Sequence, residues 1–189
     1  MYSAPRKKDY DGQMWGCNKV PVFKNKKGVP DLDATFEVHD MEIEIDIADV
    51  GMPHKEHEAK YGGFSSLEVY ETHRKAALLC AENGITFYGV KKYDWIKTSR
   101  RIPVEFLNEI FDCYSNVVCY MIAFAIYLKY DHIDLYGVEL NPWSRDIHEL
   151  ALVNAWLGIA IGRGMTFEVH GHQSSVMKNK DDKPYGNWE

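Results

Sequence analysis

With 189 residues, 46% of them apolar and 26% charged, the chain has the composition of a soluble globular protein and the length to bury a core. A formal net charge of −6 and a pI near 5.8 weigh against a general nucleic-acid binder. The four cysteines form no CxxC pair or zinc-ribbon spacing, and the N-terminus carries charges without an apolar run, which fits a cytoplasmic protein with reduced thiols.

Residues 1 to 11 are polar and read as irregular. Gln13 to Asn18 reads as a short strand ending in a small polar turn, Lys24 to Pro30 as a basic loop, and Thr35 to His39 as an alternating strand. Met41 to Val50, MEIEIDIADV, alternates acidic residues with isoleucine more strictly still, the pattern of an edge strand with a carboxylate face in water. Asp46 and Asp49 suggest either a metal site or, by the ordinary frequency of surface charge, part of that solvated face. Gly51 to Gly63 holds His54, Glu56, His57 and Glu58 and reads as an exposed loop, because its spacing matches no zinc motif. Ser65-Ser66-Leu67-Glu68 opens a helix in a capping-box pattern. Leu67, Tyr70, Arg74, Ala77, Leu78 and Ala81 keep the helical period until Asn83-Gly84. A strand over Ile85 to Val90 follows. Lys91 to Arg101 is then a basic, aromatic-bearing loop, either a phosphate holder or plainly solvated. Pro103 begins a short helix.

From Val117 to Leu128 every residue is apolar or aromatic. That run is shorter than the roughly 20 residues a bilayer requires, so it predicts a buried helix, with Ser115 or Asn116 as its N-cap. His132 to Val138 alternates as a strand ending at Gly137. A helix capped by Ser144 or Asp146 runs to Arg163 on a stripe of Leu150, Val153, Leu157 and Ile161, and Met165 to His170 is the last strand. The order predicts an α/β, Rossmann-like fold with a mainly parallel sheet and helices on both faces. One domain is expected over 1–172, with a polar tail over 173–189. The first strand and glycine-rich phosphate turn of nucleotide-binding folds do not appear before residue 12. An open sheet edge is therefore expected, covered by Met41 to Val50 or by a second subunit.

Ligands of such sheets sit at the carboxyl ends of the strands, which points to Gly137, Glu139 and Asn141. Asn18, at another strand end, can bond a base or ribose or can simply form a turn. Ser115 and Asn116 offer a hydroxyl, an amide and free N–H groups to an anion, and serve equally as caps. His148, with Glu139, Arg145, Asp146 and Glu149 nearby in sequence, suits a general base, with exposed capping as the alternative. Arg163 between glycines can reach a phosphate or close a helix end. His170 and His172 share a strand face but lack a third ligand, so no metal is expected.

The stretch from Ser115 to Gly171 contains CYMIAFAIYLKYDHIDLYGVEL and WLGIAIGRGMTFEVH. It resembles a Rossmann-like family of tailed-phage proteins. That family's pattern is a Tyr-Met-Ile-Ala helix, an Ile-x-Leu-Tyr-Gly-Val-Asp-Met strand and a Gly-x-Ala-x-Gly-Arg-Gly-Ile turn. MWGCN and TFEVHD resemble its Trp-Gly-x-Asn and Phe-Glu-x-His stretches. More distantly, the layout is similar to family-42 sialyltransferases and the 6-hydroxymethylpterin pyrophosphokinase-like domain. In those sialyltransferases a Cys-Asn turn contacts the nucleotide-sugar, which implies that role for Cys17-Asn18. Their turn before the buried helix corresponds to Ser115-Asn116-Val117, and their Gly-Ile-Asp strand to Gly137-Val138-Glu139. The chain departs from them in lacking a Gly-x-Gly-Pro-Ser loop before Asn18. Val117 stands nearest the nucleotide-contacting serine, and His148 lies in the catalytic-histidine interval without a local motif. The resemblance implies a phage-type protein in the cytoplasm of an infected cell, with a nucleotide or nucleotide-sugar as ligand. It would be a glycosyltransferase-like enzyme, or a non-catalytic accessory protein that binds a host protein or sequesters a nucleotide signal. A homo-oligomer fits either, and no membrane partner is implied.

Overall fold

The computed structural model describes residues 10–18, 20–22, 31–138, 140 and 147–170. The chain is α/β with a mainly parallel sheet, as the order of its elements predicts, and each strand pairing among the described residues is parallel. Contacts gather it into two compact units, within Arg6–Ile102 and within Pro103–Glu189, where the sequence reading draws one domain over 1–172.

The first unit carries β1 (Trp15–Cys17), β2 (Ala34–Glu37), α1 (His54–Lys60), α2 (Leu67–Glu82), β3 (Thr86–Gly89) and β4 (Ser99–Arg101). Its four strands lie side by side in chain order. All four residues of β2 are buried, the signature of an inner parallel strand covered on both faces. α2 is the crossover that parallel β2 and β3 require. Its N-cap is Ser66, whose Oγ accepts from Val69 N at 3.2 Å, one residue later than the capping-box pattern places it. Past Asn83 the chain turns through Gly84 at φ +71°, and Ile85 N donates to Cys80 O at 2.9 Å. Met41, Phe64, Tyr70, Ala77, Cys80, Ile85, Phe87, Tyr93 and Ile96 form the core.

Three segments of this unit depart from their expected form. Met41 to Val50 forms no strand. Tyr93 and Tyr70 hydroxyls take the N–H and C=O of Met41, Tyr61 Oη takes Asp46 N, and the Asp40 and Asp46 carboxylates bond Glu42 N and Ala48 N. Backbone groups satisfied by side chains have nothing left for a ladder. The alternation survives only as exposure, with Glu42, Glu44 and Asp46 outside and Ile43 and Ile45 half-buried. The Gly51–Gly63 loop contains α1, whose His57 is 2% exposed and holds Phe64 O through Nδ1 at 2.5 Å. Finally, the end of the basic loop is β4, a three-residue edge strand whose two arginines face solvent.

The second unit carries α3 (Val104–Asn108), α4 (Val117–Tyr127), β5 (His132–Tyr136), α5 (Ile147–Gly162) and β6 (Thr166–His170), with β5 and β6 paired in parallel. The apolar run is α4, buried at Val117, Cys119 and Ile122 through Ile126, and surfacing at Tyr127 and Leu128. Trp156 of α5 is fully buried and donates from Nε1 to Cys113 O at 2.9 Å, so its one polar atom is satisfied. Leu150, Val153, Leu157 and Ala160 complete the stripe. Ile161, expected in it, is exposed, because one residue turns the helix by about 100°. Leu78 of α2 is exposed for the same reason. No helix among the described residues is long and apolar enough to cross a membrane.

Candidate functional site

Parallel pairing brings the carboxyl ends of β1 and β2 together. Cys17 stands opposite Phe36, and Asn18 N donates to Phe36 O at 2.8 Å. Asn18 then turns the chain at φ +51°, a left-handed conformation that asparagine tolerates better than most residues. Its Oδ1 is buried and, among the described residues, has no hydrogen-bond partner, an uncommon state for a polar atom.

On the neighbouring strand Glu37 is 1% exposed. His39 lies two residues on, past the end of β2, and its ring turns back onto the carboxylate. Glu37 Oε1 accepts from His39 N at 3.0 Å and lies 2.5 Å from His39 Nδ1. Oε2 lies 2.5 Å from Nδ1 of His73, brought in by the crossover helix α2. The two imidazoles meet edge to face, 5.5 Å between centroids, and Phe64 packs against both at 4.9 and 5.4 Å. Gly63, at φ +99°, makes room: a Cβ there would stand 2.8 Å from His39 Cδ2 and 2.9 Å from Nε2. Tyr93 Oη donates to His39 O at 3.3 Å and fixes the loop beyond β2.

Burial raises the Glu37 carboxyl, but the hydrogen bonds from His39 and His73 outweigh it and bring the value down from 4.5 to about 2. An ionised carboxylate only accepts, so each Nδ1 donates to it and each Nε2 is left to serve as base or acid. His73 is buried while His39 is a quarter exposed, which makes His39 the member that meets solvent. Burial, followed by the Glu37 charge, pushes the Cys17 thiol up to about 11, so Cys17 is not a nucleophile.

Glu37, His39 and His73 each offer a donor atom within 4.8 Å of the others, close enough to gather around an ion. Two zinc bonds of about 2.1 Å at a tetrahedral angle hold ligand atoms roughly 3.4 Å apart. The N···O separations are 2.5 Å, hydrogen-bond lengths. The arrangement is a His–carboxylate–His acid–base assembly. No family model, curated protein or solved structure matches this chain. The chemistry of the cluster is carried by its own geometry.

The other residues expected in a site belong to the second unit. α4 and α5 each run back to parallel strands, so their N-termini and Gly137 lie toward the carboxyl ends of β5 and β6. Ser115 is exposed beside α4. Asn116, rather than Ser115, is its N-cap: Oδ1 accepts from Cys119 N at 3.1 Å and Nδ2 donates to Glu149 Oε2 at 2.8 Å. Asn116 is thus engaged in tying α4 to α5. His148 is exposed in the first turn of α5, and Gly137 leaves β5 at φ +70° in open space. Arg163 stands at the opposite end. It lines a cavity of about 400 Å³ with Lys129, Tyr130 and Asp131, at the amino ends of β5 and β6. Glu139 and Asn141 lie outside the described residues. Asn18 is the expected ligand residue that stands beside the acid–base cluster. The cluster itself had one legible signal, Glu-x-His at the end of a predicted strand; nothing in the sequence joined His73 to it.

Proposed function

We propose that the protein binds a nucleotide or nucleotide-sugar across the carboxyl ends of β1 and β2, and that Glu37, His39 and His73 supply acid–base chemistry there. The observation that carries this reading is the Glu37 carboxylate, buried, ionised and bonded to Nδ1 of both histidines. Such a carboxylate fixes the tautomer and the orientation of the ring, leaving Nε2 free to exchange a proton, as in hydrolase triads. Asn18 Oδ1, buried and without a partner among the described residues, suits an amino group of a base or a sugar hydroxyl. In a transfer step, His39 Nε2 takes the proton of an acceptor hydroxyl as its oxygen attacks the anomeric carbon. The bond from that carbon to the nucleotide phosphate breaks, and its electron pair leaves with the phosphate. His39 and Glu37 take the catalytic role that sequence order suggests for His148 and Glu139.

The test is a thermal-shift panel of CMP- and UDP-sugars, ADP-ribose, NAD and simple nucleoside triphosphates, followed by a turnover assay on the ligand that binds. A ligand present at 100 times its dissociation constant adds about 2.7 kcal/mol, a readily measured rise in melting temperature. Asn18→Ala is expected to abolish the shift. His39→Ala should retain the shift and lose turnover. Silence across the panel by a folded protein, or a shift indifferent to Asn18→Ala, would reject the pocket. Turnover surviving His39→Ala would reject the base.

A further inference from the structure

The cavity at the amino ends of β5 and β6 has no part in the chemistry proposed above. Parallel pairing sets the turn that leaves α4 beside the turn that leaves α5, and Thr166 N donates to Asp131 O at 2.9 Å between them. The two turns close in the same way. Tyr130 N reaches back to Ala125 O at 3.1 Å and Met165 N to Ala160 O at 3.0 Å, each after one left-handed residue, Lys129 at φ +60° and Gly164 at φ +87°. α1 and α2 end likewise on Gly62 at φ +60° and Gly84 at φ +71°, with Gly63 N and Ile85 N bonded back at 2.9 Å. Glycine takes that conformation freely, whereas a Cβ there is strained. Of these four turns, that of α4 alone carries a side chain at the left-handed position. Cations complement the carboxyl end of a helix, which accounts for the charge of Lys129 but not for its place. Arg163 meets the same need one residue before Gly164, without backbone strain.

Lys129 and Arg163 both line this cavity of about 400 Å³, as does Asp131, and all three are exposed. Among the described residues, neither cation forms an ion pair with a carboxylate. Ile126 and Met165 give the cavity a buried apolar wall, and half-buried Tyr130 adds an aromatic one. The volume falls in the range of small-molecule sites, roughly 300–1,000 Å³. We propose that the cavity binds a small phosphomonoester with a hydroxylated body, a sugar phosphate in chemical class, with the phosphate on Lys129 and Arg163 and a hydroxyl on Asp131. A phosphomonoester carries close to two negative charges at neutral pH and matches two cations, where a carboxylate matches one. Arg163 offers paired N–H groups to two phosphate oxygens, and Lys129 adds a point charge. The Asp131 carboxylate only accepts hydrogen bonds and repels a second anionic group, which favours a neutral, hydroxylated body over a diphosphate. The site stands at the opposite strand ends from Gly137 and His148, and the inference is independent of the nucleotide reading.

The experiment is calorimetric titration of the full-length protein with glucose 6-phosphate, ribose 5-phosphate and glycerol 3-phosphate, and with inorganic phosphate and glucose as controls. At least one of the sugar or polyol phosphates is expected to bind once per chain and more tightly than inorganic phosphate, and glucose not at all. Arg163→Gln and Lys129→Gly should each weaken that binding about tenfold or more. Lys129→Gly also relieves the left-handed residue, so it should melt no lower than the wild type. Weaker binding without lost stability is a result that a lysine serving the helix end alone would not give. Asn18→Ala should bind as the wild type does. The proposal is overturned if none of the three phosphomonoesters binds, if inorganic phosphate binds as tightly as they do, if both cation variants bind like the wild type, or if binding is lost in Asn18→Ala instead.

Discussion

Glu37→Gln is the most informative single substitution. Glutamine keeps the shape and one carbonyl oxygen but sets an NH2 group where the second oxygen accepts a hydrogen bond. One imidazole Nδ1–H then faces another donor at a position 1% exposed. The carboxyl falls from 4.5 to about 2 on folding. At ~1.36 kcal/mol per pH unit, that displacement corresponds to about 3 kcal/mol of stability. A folded value below the unfolded one contributes fully above about pH 4.5 and is lost as pH falls toward 2. The gap between wild type and variant should therefore be about 3 kcal/mol near neutrality and narrow steadily across that window. Urea unfolding followed by circular dichroism, at about pH 7, 5 and 3, measures it. A gap below about 1 kcal/mol near neutrality, or one that stays constant down to pH 3, would refute the ionised, doubly bonded carboxylate.

Three further outcomes are expected. Gly63→Ala forces an L-residue to φ +99° and sets a methyl against the His39 ring, so it should cost about 1–3 kcal/mol and shift the His39 imidazole resonances; an unchanged spectrum would contradict the packing. Asn116→Ala should cost about 1–2 kcal/mol in thermal melts, and Ser115→Ala under about 0.5 kcal/mol; equal losses would mean the cap is misassigned. With a thiol reagent in mildly alkaline buffer, exposed Cys113 should react first, and Cys80, pushed up to about 11 by burial, only on unfolding. Cys80 labelled as quickly as Cys113, followed by peptide mass spectrometry, would disprove that burial.

The elements read best from sequence are those whose signal is local. The apolar run of α4, the Ser66 and Asn83-Gly84 ends of α2, and the β-branched and aromatic strands β5 and β6 each announce themselves within a dozen residues. Met41 to Val50 misleads because alternation reports which side chains meet water, whereas a strand also needs a backbone partner. Here the partners are tyrosine hydroxyls from residues 61, 70 and 93. α1 is missed because a seven-residue helix with a single buried side chain, His57, has almost no periodicity to show. The acid–base cluster is half legible. Glu37 and His39 share a spacing, but His73 is an ordinary helical residue until folding carries it 36 positions back to Glu37. Asn18 could be singled out as a strand-end amide; the buried, unanswered oxygen could not.

The pairing order gives the two halves of the cluster different lifetimes. β1 is three residues long and, among the described residues, bonded on one side only, whereas β2 is bonded on both. Amide hydrogens on a short outer strand exchange through local fraying, at a small fraction of the global opening free energy; those of a buried inner strand wait for the sheet to come apart. Asn18 hangs from the strand that opens cheaply, and Glu37 from the strand that does not. Under the proposed function, a ligand held by Asn18 would be released by loosening a few residues at the edge while the carboxylate keeps both imidazoles aligned for the next one.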